Sequence, residues 1–214
     1  MIPARFISIE GGEGCGKSTQ ARLLVDWLQE QGLAVVLTRE PGGTPGAEAI
    51  RDLLLHPLAD QQWLPEAEAL LFAAARSDHV SRLIEPALSN GRWVVCDRFV
   101  DSSLAYQGAA GGLGMDAIKA LHRIGSGRRW PDRTILLQVD AEQTARRLRA
   151  RDGEAADAIG GRNDGYHARV AEGFAALAEA EPGRIVTVQA HGSPDEVHER
   201  LRRVVEPLLS GSAS

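Results

Sequence analysis

A chain of 214 residues that is 43% hydrophobic and 25% charged can build one substantial core and is short for two. It contains no apolar run long enough to span a bilayer, and its formal net charge of -5 argues against a polymeric nucleic-acid partner, so neither a membrane role nor DNA or RNA binding is expected. Cys15 and Cys96 are too few for a disulfide framework and lack a zinc-ligand spacing, and residues 1–10 show no secretory signal; reduced thiols, no structural metal and a cytoplasmic setting are expected.

Short apolar runs alternate with longer helical patterns. This predicts one α/β domain over residues 1–214, with a five-stranded, mostly parallel sheet flanked by helices on both faces. The first strand is expected over Phe6 to Glu10, followed by a Gly-rich turn and a helix from Lys17 to Gln31. Leu23, Leu24, Trp27 and Leu28 form that helix's apolar stripe, and Gly32 is its stop. Ala34 to Thr38 reads as the second strand, and Pro45 to Leu55 as a helix with Thr44 as N-cap and Pro45 at its first position. Pro65 to Asn90 reads as one long helix bent near Pro86 and ended by Gly91, ahead of a strand from Trp93 to Cys96. The remaining elements are helices at Met115 to Ile124, Ala141 to Arg151, Tyr166 to Glu181 and Pro194 to Leu209, with strands at Thr134 to Val139 and Ile185 to Val188. Residues 210–214 read as a disordered tail.

The segment GGEGCGKS, Gly11 to Ser18, satisfies G-x-x-x-x-G-K-[ST] between a predicted strand and a predicted helix. Backbone N–H groups of such a loop converge on phosphate, and the helix N-terminus adds a positive dipole end. The expected ligand is ATP with Mg²⁺. The binding set comprises Gly11, Gly12, Glu13, Gly14, Cys15, Gly16, Lys17, Ser18 and Thr19, with Lys17 on the β- and γ-phosphates and Ser18 on the metal. The loop alone does not separate a kinase from a switch or motor ATPase.

Arg39 follows the second strand, and Asp97 and Arg98 follow the third, at the edge where α/β sheets place ligands. A carboxylate there can hold Mg²⁺ through water, while a guanidinium can clamp a phosphate. Taken singly, Arg39 could equally be a solvated turn residue, and Asp97–Arg98 a structural pair. Phe72 and Arg76 are four apart and share a helix face, which offers a ring for a base and a donor for a carbonyl; a core role for Phe72 is the alternative.

FISIEGGEGCGKST, TREPGGT (Thr38 to Thr44), LLFAAAR (Leu70 to Arg76), VVCDRF (Val94 to Phe99) and AYQG (Ala105 to Gly108) together resemble the bacterial thymidylate kinase family, essentially end to end. The resemblance implies a three-layer P-loop NTPase fold with a short lid near residues 150–163, and a homodimer. It implies phosphorylation of thymidine monophosphate (dTMP) to the diphosphate with Mg·ATP, in support of dTTP synthesis. It places Arg39 and Arg98 on the acceptor phosphate, Phe72 against thymine and Arg76 on a base oxygen. Ser103 and Gln107 fall on the thymine edge, and Tyr106 against the sugar as a filter for a 2′-hydroxyl. Arg149 and Arg151 are the lid arginines expected to act in the transition state, and Glu13 is expected at the acceptor 3′-hydroxyl or the metal shell. Two departures stand out. No arginine follows AYQG, where Ala109 to Gly112 run instead, and Asp157 is followed by Ala158 rather than arginine, with Arg162 the candidate substitute.

Overall fold

A computed structural model describes residues 2–56, 62–139 and 160–210. The expected Arg-rich helix, most of the expected lid and residues 211–214 lie outside these. Five strands, β1 (Phe6–Glu10), β2 (Val35–Arg39), β3 (Trp93–Asp97), β4 (Arg133–Gln138) and β5 (Ile185–Gln189), form one all-parallel sheet in the order β2-β3-β1-β4-β5. The strands fall within one residue of their expected bounds.

The pleat divides the core in two. From β1, Phe6 faces one cluster with Val94, Cys96 and Leu136, while Ile7 and Ile9 face the other with Val95, Ile135 and Leu137. The second cluster is covered by α1 (Lys17–Glu30) and the C-terminal helix Pro194–Leu209. On α1 the buried apolar positions are Ala21, Leu24, Val25, Trp27 and Leu28; Leu23, expected in the stripe, is only half buried, and Val25 takes its place.

On the opposite face the expected long helix is divided. α3 (Pro65–His79) runs into a π-helical turn at Val80–Ile84, and α4 (Glu85–Ser89) completes the run, following α2 (Pro45–Leu55) in the chain. Pro86 has no N–H to give Arg82 O, and the widened turn just before it, in which Glu85 N–H reaches Val80 O, keeps the run helical. The segment after β3 was not expected to be helical, yet α5 (Val100–Ser103) leads into a second π-helical stretch, Leu104–Ala110. It packs against the helix Asp164–Ala180, where a Cβ on Gly173 would lie 2.9 Å from Ala109 Cβ. Tyr106 is buried against Tyr166 and Phe174 of that helix, and Gln107 is buried against Glu68 of α3. α6 (Met115–Gly125) lies beside α3.

The register sets Ile9 beside Asp97 and Asp97 beside Arg39. The ends of β1, β2 and β3 therefore open on one edge of the sheet.

Candidate active site

The glycine loop joins β1 to α1. Gly11 has φ 141, and a Cβ there would come 2.6 Å from Leu137 O, so only glycine fits. Gly16 enters α1 in the left-handed region, and no side chain caps the helix. Its first N–H groups are thus the kind of uncapped helix terminus that binds anions. Lys17 is buried and folds back over the loop, Nζ donating to Gly12 O at 2.6 Å and lying 3.6 Å from Cys15 Sγ. Ser18 Oγ donates to Asp97 Oδ2 at 2.5 Å.

Arg98 stands immediately beyond β3 at φ 68, an uncommon conformation for a non-glycine residue and one that concentrates at functional sites. Its Nη2 donates to Glu13 Oε1 at 2.5 Å and to Tyr106 OH at 3.3 Å, and Nη1 donates to Gly11 O at 3.0 Å and Ser102 Oγ at 3.1 Å. The Arg98 charge lowers the Glu13 carboxyl to about 2, against the opposing effect of burial. The Tyr106 hydroxyl also donates to Glu13 Oε1 at 3.2 Å, and burial raises its pKa.

Arg76 is held rigidly. Nε donates to Glu40 Oε2 at 2.7 Å, Nη2 donates to Ser103 Oγ at 2.8 Å, and the guanidinium lies 5.4 Å from the Phe99 ring centre. Glu40 Oε1 meets His79 Nδ1 at 3.0 Å, and His79 Nε2 meets Thr38 Oγ1 at 2.7 Å, which makes a buried polar chain beneath Arg76. Gln107 Nε2 donates to Glu68 Oε1 at 2.9 Å. Arg39 is more open, paired with Glu48 at 3.1 Å.

One cavity of about 490 Å³ is lined by Glu13, Gly14, Gly16, Lys17, Ser18 and Thr19 from the loop side. Arg39, Phe72, Arg76, Asp97, Arg98, Ser103, Tyr106 and Gln107 line it from the other. Every expected acceptor-side residue therefore faces the space reached by the P-loop. Gly11, Gly12 and Cys15 support the loop without lining the cavity. Arg149 and Arg151 lie outside the described residues, as do Asp157 and Ala158. Arg162 does not line this cavity: it pairs with Glu68 and sits 4.5 Å over the Tyr166 ring, beside a neighbouring cavity. Sequence reasoning gave no role to Glu10, Glu40, His79, Glu68 or Ser102. Glu10 and Glu40 carried a signal, by lying inside FISIEGGEGCGKST and TREPGGT.

A strand, a glycine loop and a helix, with a serine and a strand-end aspartate meeting at 2.5 Å, define a P-loop NTPase, and a second set of polar and charged residues lines the same cavity, as in the nucleotide phosphotransferases of this fold. A family model for thymidylate kinase matches residues 9–201. The chain is 55% identical over 208 residues to the thymidylate kinase of Rhizorhabdus wittichii, covering 97% of this chain and 100% of that one. It is 51% identical over 204 residues to the thymidylate kinase of Symbiobacterium thermophilum, covering 95% and 94%. The crystal structure of thymidylate kinase from Ehrlichia chaffeensis superposes with a TM-score of 0.77 at 31% identity, covering 95% of this chain and 99% of that one. The chain belongs to the thymidylate kinase family, which phosphorylates dTMP to the diphosphate with ATP as donor.

Proposed function

We propose that this chain transfers the γ-phosphoryl group of ATP to dTMP within the 490 Å³ cavity, as one kinase domain over residues 1–214. The observation that carries the residue assignments is that a single space is lined by Lys17 and Ser18 on one side and by Phe72, Arg76 and Arg98 on the other. The loop N–H groups and Lys17 bind the ATP phosphates, with Lys17 turning from Gly12 O to the β- and γ-phosphates. Arg98 and Arg39 hold the acceptor phosphate in line, Phe72 supports the base, and Arg76, Ser103 and Gln107 read its edge. Tyr106 and Glu13 face the sugar. An acceptor monophosphate is largely ionised near neutral pH, so alignment and charge neutralisation suffice without a strong general base.

Ser18 and Asp97 form a hard-oxygen pair of the kind that holds Mg²⁺ together with substrate phosphates and water rather than in a cage of carboxylates. Bound there, the ion would neutralise charge on the β- and γ-oxygens. Arg149 and Arg151 are assigned to the transferred group on resemblance alone. A homodimer is proposed because α3 and α6, packed side by side, leave Leu70 57% and Ile124 80% exposed. The cytoplasm is the proposed setting, since both substrates belong to the cell's nucleotide pool.

The acceptor assignment is tested by supplying Mg·ATP with each nucleoside monophosphate in turn and following ADP release. A strong preference for dTMP is expected; equal turnover of several acceptors would contradict the roles given to Phe72, Arg76 and Tyr106.

A further inference from the structure

Glu10, the last residue of β1, is 0% exposed, and the proposed mechanism leaves it without a part. Burying a carboxylate is expensive unless its oxygens are satisfied. Those of Glu10 cross to the turn after β3. Oε1 accepts the Phe99 N–H at 2.7 Å, and Oε2 accepts the Ser102 hydroxyl at 2.6 Å. Ser102 Oγ in turn accepts from Arg98 Nη1 at 3.1 Å.

These bonds bracket one residue. Arg98 at φ 68 is in a conformation that persists only where its surroundings hold it. Its own N–H donates to Ile9 O at 3.0 Å, and the next peptide N–H is the one Glu10 accepts. The end of β1 thus grips the Arg98 backbone on both sides and, through Ser102, one arm of its guanidinium. Neighbouring Asp101 is turned the other way, with Arg184 donating to both its oxygens at 2.7 and 2.8 Å and Thr134 to one of them.

We propose that Glu10 is a positioning residue for the acceptor phosphate: through the Phe99 peptide and the Ser102 hydroxyl it fixes the orientation in which Arg98 meets the acceptor. This rests on the assignment of Arg98 to that phosphate. Glu10 touches neither substrate, and its effect is exerted wholly through Arg98.

The test is a double-mutant cycle on the full chain with Glu10→Met, Ser102→Ala and Arg98→Ala, reading the KM for dTMP and the KM for ATP separately. Glu10→Met and Ser102→Ala should each raise the dTMP KM about tenfold, with the ATP KM within about twofold of the parent. Neither should raise the dTMP KM further once Arg98 is alanine. If Glu10→Met does not fold, Glu10→Gln, which keeps the side chain's length and removes its charge, takes its place in the cycle. A normal dTMP KM in the folded variants, while Arg98→Ala is impaired, would overturn the positioning role and leave Arg98's assignment standing. Additive effects would also overturn it, since they would mean that Glu10 or Ser102 acts independently of Arg98. A normal dTMP KM in Arg98→Ala would remove the Arg98 assignment and the proposal with it.

Discussion

Ser18 Oγ donates to Asp97 Oδ2 at 2.5 Å, tying the first turn of the P-loop helix to the end of β3. If these two oxygens share Mg²⁺, Ser18→Ala should raise the Mg²⁺ concentration for half-maximal activity by about tenfold, while the melting temperature stays near the parent's because Ser18 is exposed. A Mg²⁺ titration of activity checks this. An unchanged requirement would place the ion elsewhere.

Lys17 is the loop's only positive side chain, and Nζ is already at 2.6 Å from a loop oxygen, within reach of a phosphate bound on the same N–H groups. Lys17→Ala should lower kcat by roughly 10²–10³-fold with the fold intact. Steady-state turnover together with circular dichroism gives the answer. Near-normal turnover would contradict the loop's role.

Phe72 lines the cavity and is only half buried, so its ring has surface to offer a base. Loss of base stacking is worth about 1–3 kcal/mol. Phe72→Ala should therefore raise the dTMP KM by roughly 5- to 150-fold and leave the ATP KM alone. If stability falls and the dTMP KM does not move, Phe72 is simply a packing residue.

Glu13 titrates at about 2 rather than 4.5, first because of Arg98 and with burial opposing. A carboxyl lowered on folding adds stability that is full above about 4.5 and is lost as the pH falls through 2. With the side chain 27% exposed, Glu13→Gln should cost on the order of 2 kcal/mol at pH 6, and the gap should narrow between pH 4.5 and 3. Urea unfolding at the two ends of that window measures it. A gap independent of pH would mean that the loss comes from packing rather than from the ion pair.

Arg184 grips both oxygens of Asp101, which is 1% exposed, and shares Thr134 Oγ1 with it. Arg184→Met would strand that buried carboxylate. A loss of about 3–5 kcal/mol is expected, roughly a 10 °C fall in melting temperature for a chain of this size. A calorimetric scan showing no fall would mean that Asp101 finds another partner or takes up a proton.

Much of this was legible in the sequence because the signals were local. Glycine, lysine and serine spacing announced the loop, Thr44 and Pro45 marked the start of α2, and apolar runs marked all five strands. Arg39, Asp97 and Arg98 could be placed because they stand at, or one residue beyond, the ends of strands that open on a common edge. What escaped depends on neighbours distant in the chain. Glu10 meets Ser102, Glu40 meets Arg76 and His79, and Glu68 meets Gln107 across separations that no periodicity encodes. The π-helical turns escaped for a related reason. A 3.6-residue period does not register a widened turn, and residues 104–110 are held helical by their packing on Gly173 rather than by a local cap.

The most direct measurement follows the label from [γ-³²P]ATP in a reaction with Mg²⁺ and dTMP. Label appearing in thymidine diphosphate, and dependent on dTMP, is the predicted result. Label released only as inorganic phosphate, at a rate indifferent to dTMP, would show that the cavity hydrolyses ATP without serving an acceptor and would contradict the account.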